Sequence, residues 1–149
     1  MDHNKYMEMA LKEAKKAMKK NEVPIGAVIV CNDKVIAKAH NMREKHNLAT
    51  SHAEILAIQK ANKKLKSWRL DSCTLYVTIE PCPMCAGAII QSRLKNVVYG
   101  ANDLKAGAHS SVLNLFDYSF NHKVNVESGV MEEESADIIS NFFKRLRKK

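Results

Sequence analysis

Residues 73–90 read CTLYVTIEPCPMCAGAII. The first seven are aromatic, β-branched or small and apolar almost without a break, which predicts a strand buried on both faces. The chain then meets Glu80 and Pro81 and enters a helix at Cys82–Pro83, because proline suits the first helical turn, where its missing N–H costs nothing. A buried strand running straight into a helix is the repeating unit of a layered α/β fold. The same turn carries two cysteines three apart at the front of an apolar helix. A disulfide, a redox pair or a metal site would each explain them, and each requires different company elsewhere in the chain.

Working outward, residues 4–20 repeat apolar side chains from Tyr6 and Met7 to Ala17 and Met18 at a period of 3.6, which predicts an amphipathic helix. Residues 23–40, VPIGAVIVCNDKVIAKAH, predict a hairpin turning at CNDK. SHAEILAIQKANKKL, 51–65, predicts a helix; NVVYGA, 96–101, a strand; and 101–111 a Gly- and Ala-rich loop. SVLNLF, 111–116, predicts a short helix and KVNVES, 123–128, a last strand. From Met131 onward Ile138, Ile139, Phe142, Phe143 and Leu146 recur at helical spacing. The expected architecture is a three-layer α/β/α fold, a five-stranded mixed sheet with helices on both faces. Strand–helix–strand pieces should run parallel with right-handed crossovers, and the hairpin antiparallel. Periodicity does not specify the strand order. A length of 149 residues suits one domain, 1–149.

No stretch is apolar for long enough to span a membrane, and the charged N-terminus lacks a signal core. A cytoplasmic protein is therefore expected, with its four cysteines mostly reduced, which weakens the disulfide reading. Lys and Arg number 24 against 16 Asp and Glu, a net charge of +8, which favours a polyanionic partner, most simply a nucleic acid. The last eight residues, FFKRLRKK, hold five basic groups and no acid.

A metal reading of Cys82 and Cys85 needs a further ligand. SHAEIL begins another predicted helix and supplies His52. Positions i and i+3 share a helix face, so both thiolates can grip one ion, with imidazole as the third donor. Three protein ligands leave a tetrahedral Zn²⁺ one position open, which separates catalytic from structural zinc. Glu54 follows His52 by two, so both can reach one site only if His52 sits just before the helix or in its first turn. Glu54 is then the candidate proton shuttle. Cys31 and Cys73 lie in strand-like runs and are expected to be core thiols. The remaining histidines show no paired spacing. Val23, Pro24 and Ile25 suit a pocket wall and a strand start equally.

His-x-Glu followed by Pro-Cys-x-x-Cys is the signature of the zinc nucleoside and base deaminases. The likeness extends to NEVPIGAVIV, AHN, HAEILAI, SWRLDSCTLYVTIEPCPMCAGAII, SRLKNVVYGANDLKAG and NHKVNVESGV, so that nearly the whole chain resembles the bacterial tRNA-specific adenosine deaminases. The resemblance implies a cytidine-deaminase-like fold, a homodimer and conversion of the wobble adenosine of a tRNA anticodon stem-loop to inosine. It implies His52, Cys82 and Cys85 as ligands of one Zn²⁺ per subunit and Glu54 as the shuttle. It also implies that Asn41 contacts the target nucleoside and that Asp103, Lys105, Asn121 and His122 face the RNA. The chain departs from the family at Ala49-Thr50-Ser51, where Pro-Thr-Ala is usual, and at His109, among residues usually small. Two rival functions share parts of this pattern. A deaminase of a free nucleobase or nucleoside, of guanine or cytosine type, needs no basic surface. A non-catalytic RNA-binding module with structural zinc needs a fourth ligand and leaves Glu54 without a purpose.

Overall fold

The computed structural model describes residues 2–148. The helices are α1 His3–Lys19, α2 Arg43–His46, α3 Ala53–Leu65, α4 Pro83–Gln91 and α5 Glu132–Arg147. The strands are β1 Gly26–Cys31, β2 Lys34–His40, β3 Cys73–Ile79, β4 Asn96–Ala101 and β5 Asn125–Glu127. They form one sheet in the order β2-β1-β3-β4-β5. Asn32 and Asp33 at the β1–β2 turn both take left-handed φ, 51° and 62°. That conformation matches the twist of a tight hairpin, and Asn and Asp tolerate it. β1 also pairs antiparallel with β3, while β3, β4 and β5 run parallel. β2 and β3 therefore point the same way, as expected of a strand–helix–strand piece, but β1 lies between them.

Alternation along β1 divides the interior in two. Ala27, Ile29 and Cys31 face a core shared with α3 and α4, and Val28 and Val30 face one shared with α1. Burying side chains such as Ile29 and Met7 stabilises the fold by about 1.5–3 kcal/mol each. α1 is capped by Asp2, which accepts from the Lys5 amide, and lies so close to β1 that a Cβ at Gly26 would strike the Ala10 carbonyl. On the same face, α5 buries Ser135, Ile138 and Phe142. Phe143 and Leu146, which recur in the same apolar stripe, are 41% and 45% exposed, because one helical face has room for only part of the stripe. Among the described residues no helix is long and apolar enough to cross a membrane.

Three local expectations change. SVLNLF yields only a single 3₁₀ turn at Leu115–Asp117. The short helix α2 has too little periodicity to be read in advance. Cys31 and Cys73, expected as separate core thiols, are both buried in the core but meet each other as register partners across β1 and β3, with Cα atoms 4.4 Å apart. That spacing belongs to the close type of antiparallel pair. The neighbours of a strand cannot be read from its own periodicity, so this pairing was not legible.

Candidate active site

The C-terminal ends of β2, β3 and β4 open toward one side of the sheet, where the starts of α3 and α4 converge. His52 is the N-cap of α3, with extended φ −77° and ψ 154°, just before the first helical residue. Cys82 is the N-cap of α4 and Cys85 lies one turn on. His52 Nδ1 stands 3.6 Å from the Sγ of Cys82 and 3.6 Å from that of Cys85. The three donor atoms lie within 4.8 Å of one another, and among the described residues no other acid, cysteine or histidine joins them. One imidazole nitrogen and two thiolates match zinc's preferred donors, and three are too few to close a structural site. The residues therefore fit a catalytic zinc ion.

Hydrogen bonds among the three donors set their proton affinities. Cys82 is drawn down to about 4, first by a hydrogen bond from the Cys85 thiol, against its own burial, and then by His52. Cys85 is pushed up by the hydrogen bond it gives Cys82 and by burial. His52 is raised by its hydrogen bond with Cys82. Both sulfurs sit at a helix N-terminus, where partial positive charge favours thiolate. Glu54 lies in the first turn of α3 and is only 3% exposed. Burial, with the Cys82 charge added, lifts its carboxyl to about 7. It is thus poised to gain or lose a proton near neutral pH.

His52, Glu54 and Cys82 line a cavity of about 210 Å³. Val23, Ile25 and Ile79 supply apolar wall, while Asn41, Arg43, Asp103 and Ala106 stand around it. Of the segment open to two readings, Val23 and Ile25 line the cavity and Pro24 does not. Asn41 is held by its own loop: its side chain donates to the Val23 carbonyl at 3.3 Å and accepts from the Arg43 amide at 3.1 Å. Asp103 Oδ1 accepts from the amides of Lys105 and Ala106, a turn that leaves Lys105 exposed. Asn121 and His122 lie outside the cavity lining, and the His122 ring bonds the Leu94 carbonyl at 2.7 Å.

Sequence reasoning missed Arg43, Ala53, Ile79, Glu80 and Ala106, all of which line the cavity. Only Glu80 left a signal, an acid at the end of a fully buried strand. Both departures from the family pattern are accommodated. Ser51 Oγ bonds the His46 ring at 3.0 Å, and His109 bonds the Tyr99 hydroxyl at 2.8 Å while packing edge-on against Phe116.

A three-layer α/β/α sandwich with a His-Cys-Cys donor set and a buried glutamate at a base-sized pocket defines the class of zinc deaminases acting on nucleobases. A family model described as MafB19-like deaminase matches residues 1–147. The tRNA-specific adenosine deaminase of Bacillus subtilis is 54% identical over 145 residues, covering 97% of this chain and 90% of that protein. A solved structure from a study of A-to-I editing by tRNA:A34 deaminases at the wobble position superposes with a TM-score of 0.88 at 45% identity, covering 90% of this chain and 98% of that one. The guanine deaminase of Bacillus subtilis is more distant, with a TM-score of 0.65 and 32% identity over 81% of this chain and 88% of its own. The chain belongs to the family of tRNA-specific adenosine deaminases.

Proposed function

We propose that this protein hydrolyses the wobble adenosine of a tRNA anticodon stem-loop to inosine, releasing ammonia. The observation that carries the reading is the buried Glu54 beside the His52–Cys82–Cys85 donor set, lining a cavity of about 210 Å³. Its volume falls below the roughly 300–1,000 Å³ of common ligand sites. One base enters, and ribose and phosphates stay at the mouth near Arg43 and Asp103. An anticodon loop yields such a base more cheaply than a duplex does, because it is already unpaired.

His52, Cys82 and Cys85 would hold one Zn²⁺ per chain, which when bound acidifies water and so supplies the nucleophile at neutral pH. Glu54 takes one proton from water and hands it to the purine ring nitrogen; it then takes the second proton, from the hydroxyl added to the base, and delivers it to the amine, which leaves as ammonia as the carbonyl forms. Val23, Ile25 and Ile79 exclude bulk water from the base. Asn41, preset by its two bonds to the 23–43 backbone, orients the nucleoside. Asp103 and Lys105 face the RNA beside the target, and Asn121 and His122 face it farther off. The net charge of +8 supports RNA as substrate. We further propose a homodimer working in the cytoplasm. Large apolar side chains at Leu104, Val112 and Met84, exposed by 83%, 56% and 36%, support pairing.

The likeness to guanine deaminase favours a second reading, deamination of a free purine. Purified protein offered an anticodon stem-loop, free adenosine and free guanine separately decides between them. Inosine in the stem-loop alone is the expected result; turnover of guanine with none of the RNA overturns the proposal. A non-catalytic RNA-binding module is disfavoured by the buried Glu54 and by the lack of a fourth ligand among the described residues.

A further inference from the structure

Glu80 follows the last residue of β3 and is 1% exposed. Burying an ionised carboxylate is costly unless donors surround it. None of the ion pairs among the described residues involves it. Its partners come instead from one loop, residues 102–111. Oε1 accepts from the Asp103 amide at 3.0 Å, from Asn102 Nδ2 at 3.0 Å and from Ser111 Oγ. Oε2 accepts from three successive amides, His109 at 2.9 Å, Ser110 at 2.9 Å and Ser111 at 3.2 Å. Six donors thus meet a group with about four lone-pair sites, so no acceptor capacity remains for substrate. Three consecutive amides on one oxygen form a concave anion site made of backbone.

This loop has no helix or strand of its own. Its inward fold brings Gly107 against the carboxylate, where a Cβ would collide with it. Its tip carries Asp103 and Ala106 to the cavity wall. A segment of this length without regular structure has many alternatives, and ordering it against a fixed group costs conformational entropy. Glu80 stands two residues before Cys82, so the anchor of the loop is continuous with the turn that carries the metal donors.

We propose that Glu80 is a positioning residue: it folds residues 102–111 around its carboxylate and so sets the pocket wall that grips the target nucleotide, without taking part in the chemistry. The inference rests on the deaminase reading above. Glu80→Gln keeps the shape but turns one acceptor into an N–H₂ group facing N–H donors, so at least the bonds to one oxygen are lost.

The test uses the full-length zinc-loaded enzyme and its variant. Hydrogen exchange at the amides of Asp103, His109, Ser110 and Ser111 should quicken by about tenfold or more, while the NMR chemical shifts of the sheet amides stay unchanged. KM for the stem-loop should rise about tenfold, with kcat within about threefold and zinc still one per chain. If exchange quickens and KM does not move, the loop carries no substrate grip and the proposal fails. If activity falls in step with zinc content, Glu80 supports the metal turn instead, and the proposal fails. Should Glu80→Gln not fold, the double variant Asn102→Ala, Ser111→Ala removes the side-chain donors alone. It should show the same split in smaller measure, and an unchanged KM with it overturns the inference. If the wild-type enzyme deaminates guanine and not RNA, the substrate reading above falls. The exchange and KM comparison, repeated on guanine, still judges Glu80.

Discussion

His52 Nδ1 and Cys82 Sγ lie 3.6 Å apart, although 30 residues separate them in the chain. Each is the N-cap residue of a different helix: α4 follows β3 directly, whereas α3 follows β2 only after the segment that carries α2. The donor set is therefore held by the sheet and not by the local turn around Cys-x-x-Cys.

Cys82→Ser should lose the metal. Zinc content in freshly purified protein should fall from one per chain to a small fraction. Affinity should fall by more than the ~10–100-fold typical of changes to groups behind the ligands. Elemental analysis of dialysed protein checks this, and full retention of zinc would show that these residues do not hold it.

Glu54→Gln should keep zinc, fold and RNA affinity while turnover drops by about 10²–10⁴-fold, the usual worth of a general acid–base group. Single-turnover inosine formation beside a binding titration separates the two effects. Turnover near the wild-type rate would rule out the shuttle.

Glu80 carries a stability contribution with a defined pH window. Burial raises its proton affinity, but the hydrogen bonds from Ser111, Ser110, His109 and Asn102 outweigh this and hold it near about 2, below the usual 4.5. A lowered value favours the ionised folded state, so the contribution is complete above the unfolded value near 4.5 and disappears as pH falls toward 2. The span corresponds to about 3 kcal/mol at neutral pH. Urea unfolding of wild type and Glu80→Gln should differ by about that amount at pH 7, by about half of it at pH 3, and converge only near pH 2. A constant difference across that range would contradict the assignment.

Gly26→Ala should destabilise the protein without touching the pocket. The added methyl meets the Ala10 carbonyl and the Ala14 amide of α1, neither of which can rotate away. Overpacking of this kind costs about 1–3 kcal/mol. A lowered Tm with unchanged kcat/KM is expected at temperatures where the variant is folded.

Removing Arg147 and Lys148, together with Lys149, which lies outside the described residues, should weaken RNA binding at low salt and spare chemistry. α5 is anchored by Ile138 and Phe142, and its last turn points basic side chains outward. Each lost phosphate contact should flatten the log–log salt dependence by about 0.7–0.9. Identical salt slopes for the full and shortened chains would place the footprint elsewhere.

Much of this could be read in advance because it is local. The apolar period of α1, the unbroken strand at 73–79 and the proline-opened helix after it are properties of short windows, and all three stand in the structure. Glu54 two residues after His52 restricts His52 to the first helical turn or the position just before it, and the structure takes the second, with His52 as N-cap. The two stripe residues of α5 that remain exposed show where local pattern stops: periodicity says which face is apolar, not how much of that face finds a partner.

The sequence by itself determined the order of the strands and of the long helices α1, α3, α4 and α5, the donor types and their place at two helix starts, since these follow from side chains and spacing along the chain. Only the tertiary structure decided that β1 separates β2 from β3, that Cys31 meets Cys73, and that Arg43 and Ala106 reach the cavity. It also decided that Glu80 is bound by the loop that follows β4. The reason is physical. Strand order depends on which edges compete for pairing, and the amides of His109, Ser110 and Ser111 are backbone groups that every non-proline residue carries. Their aim at one buried carboxylate leaves no mark in the order of the residues and exists only once the loop is folded.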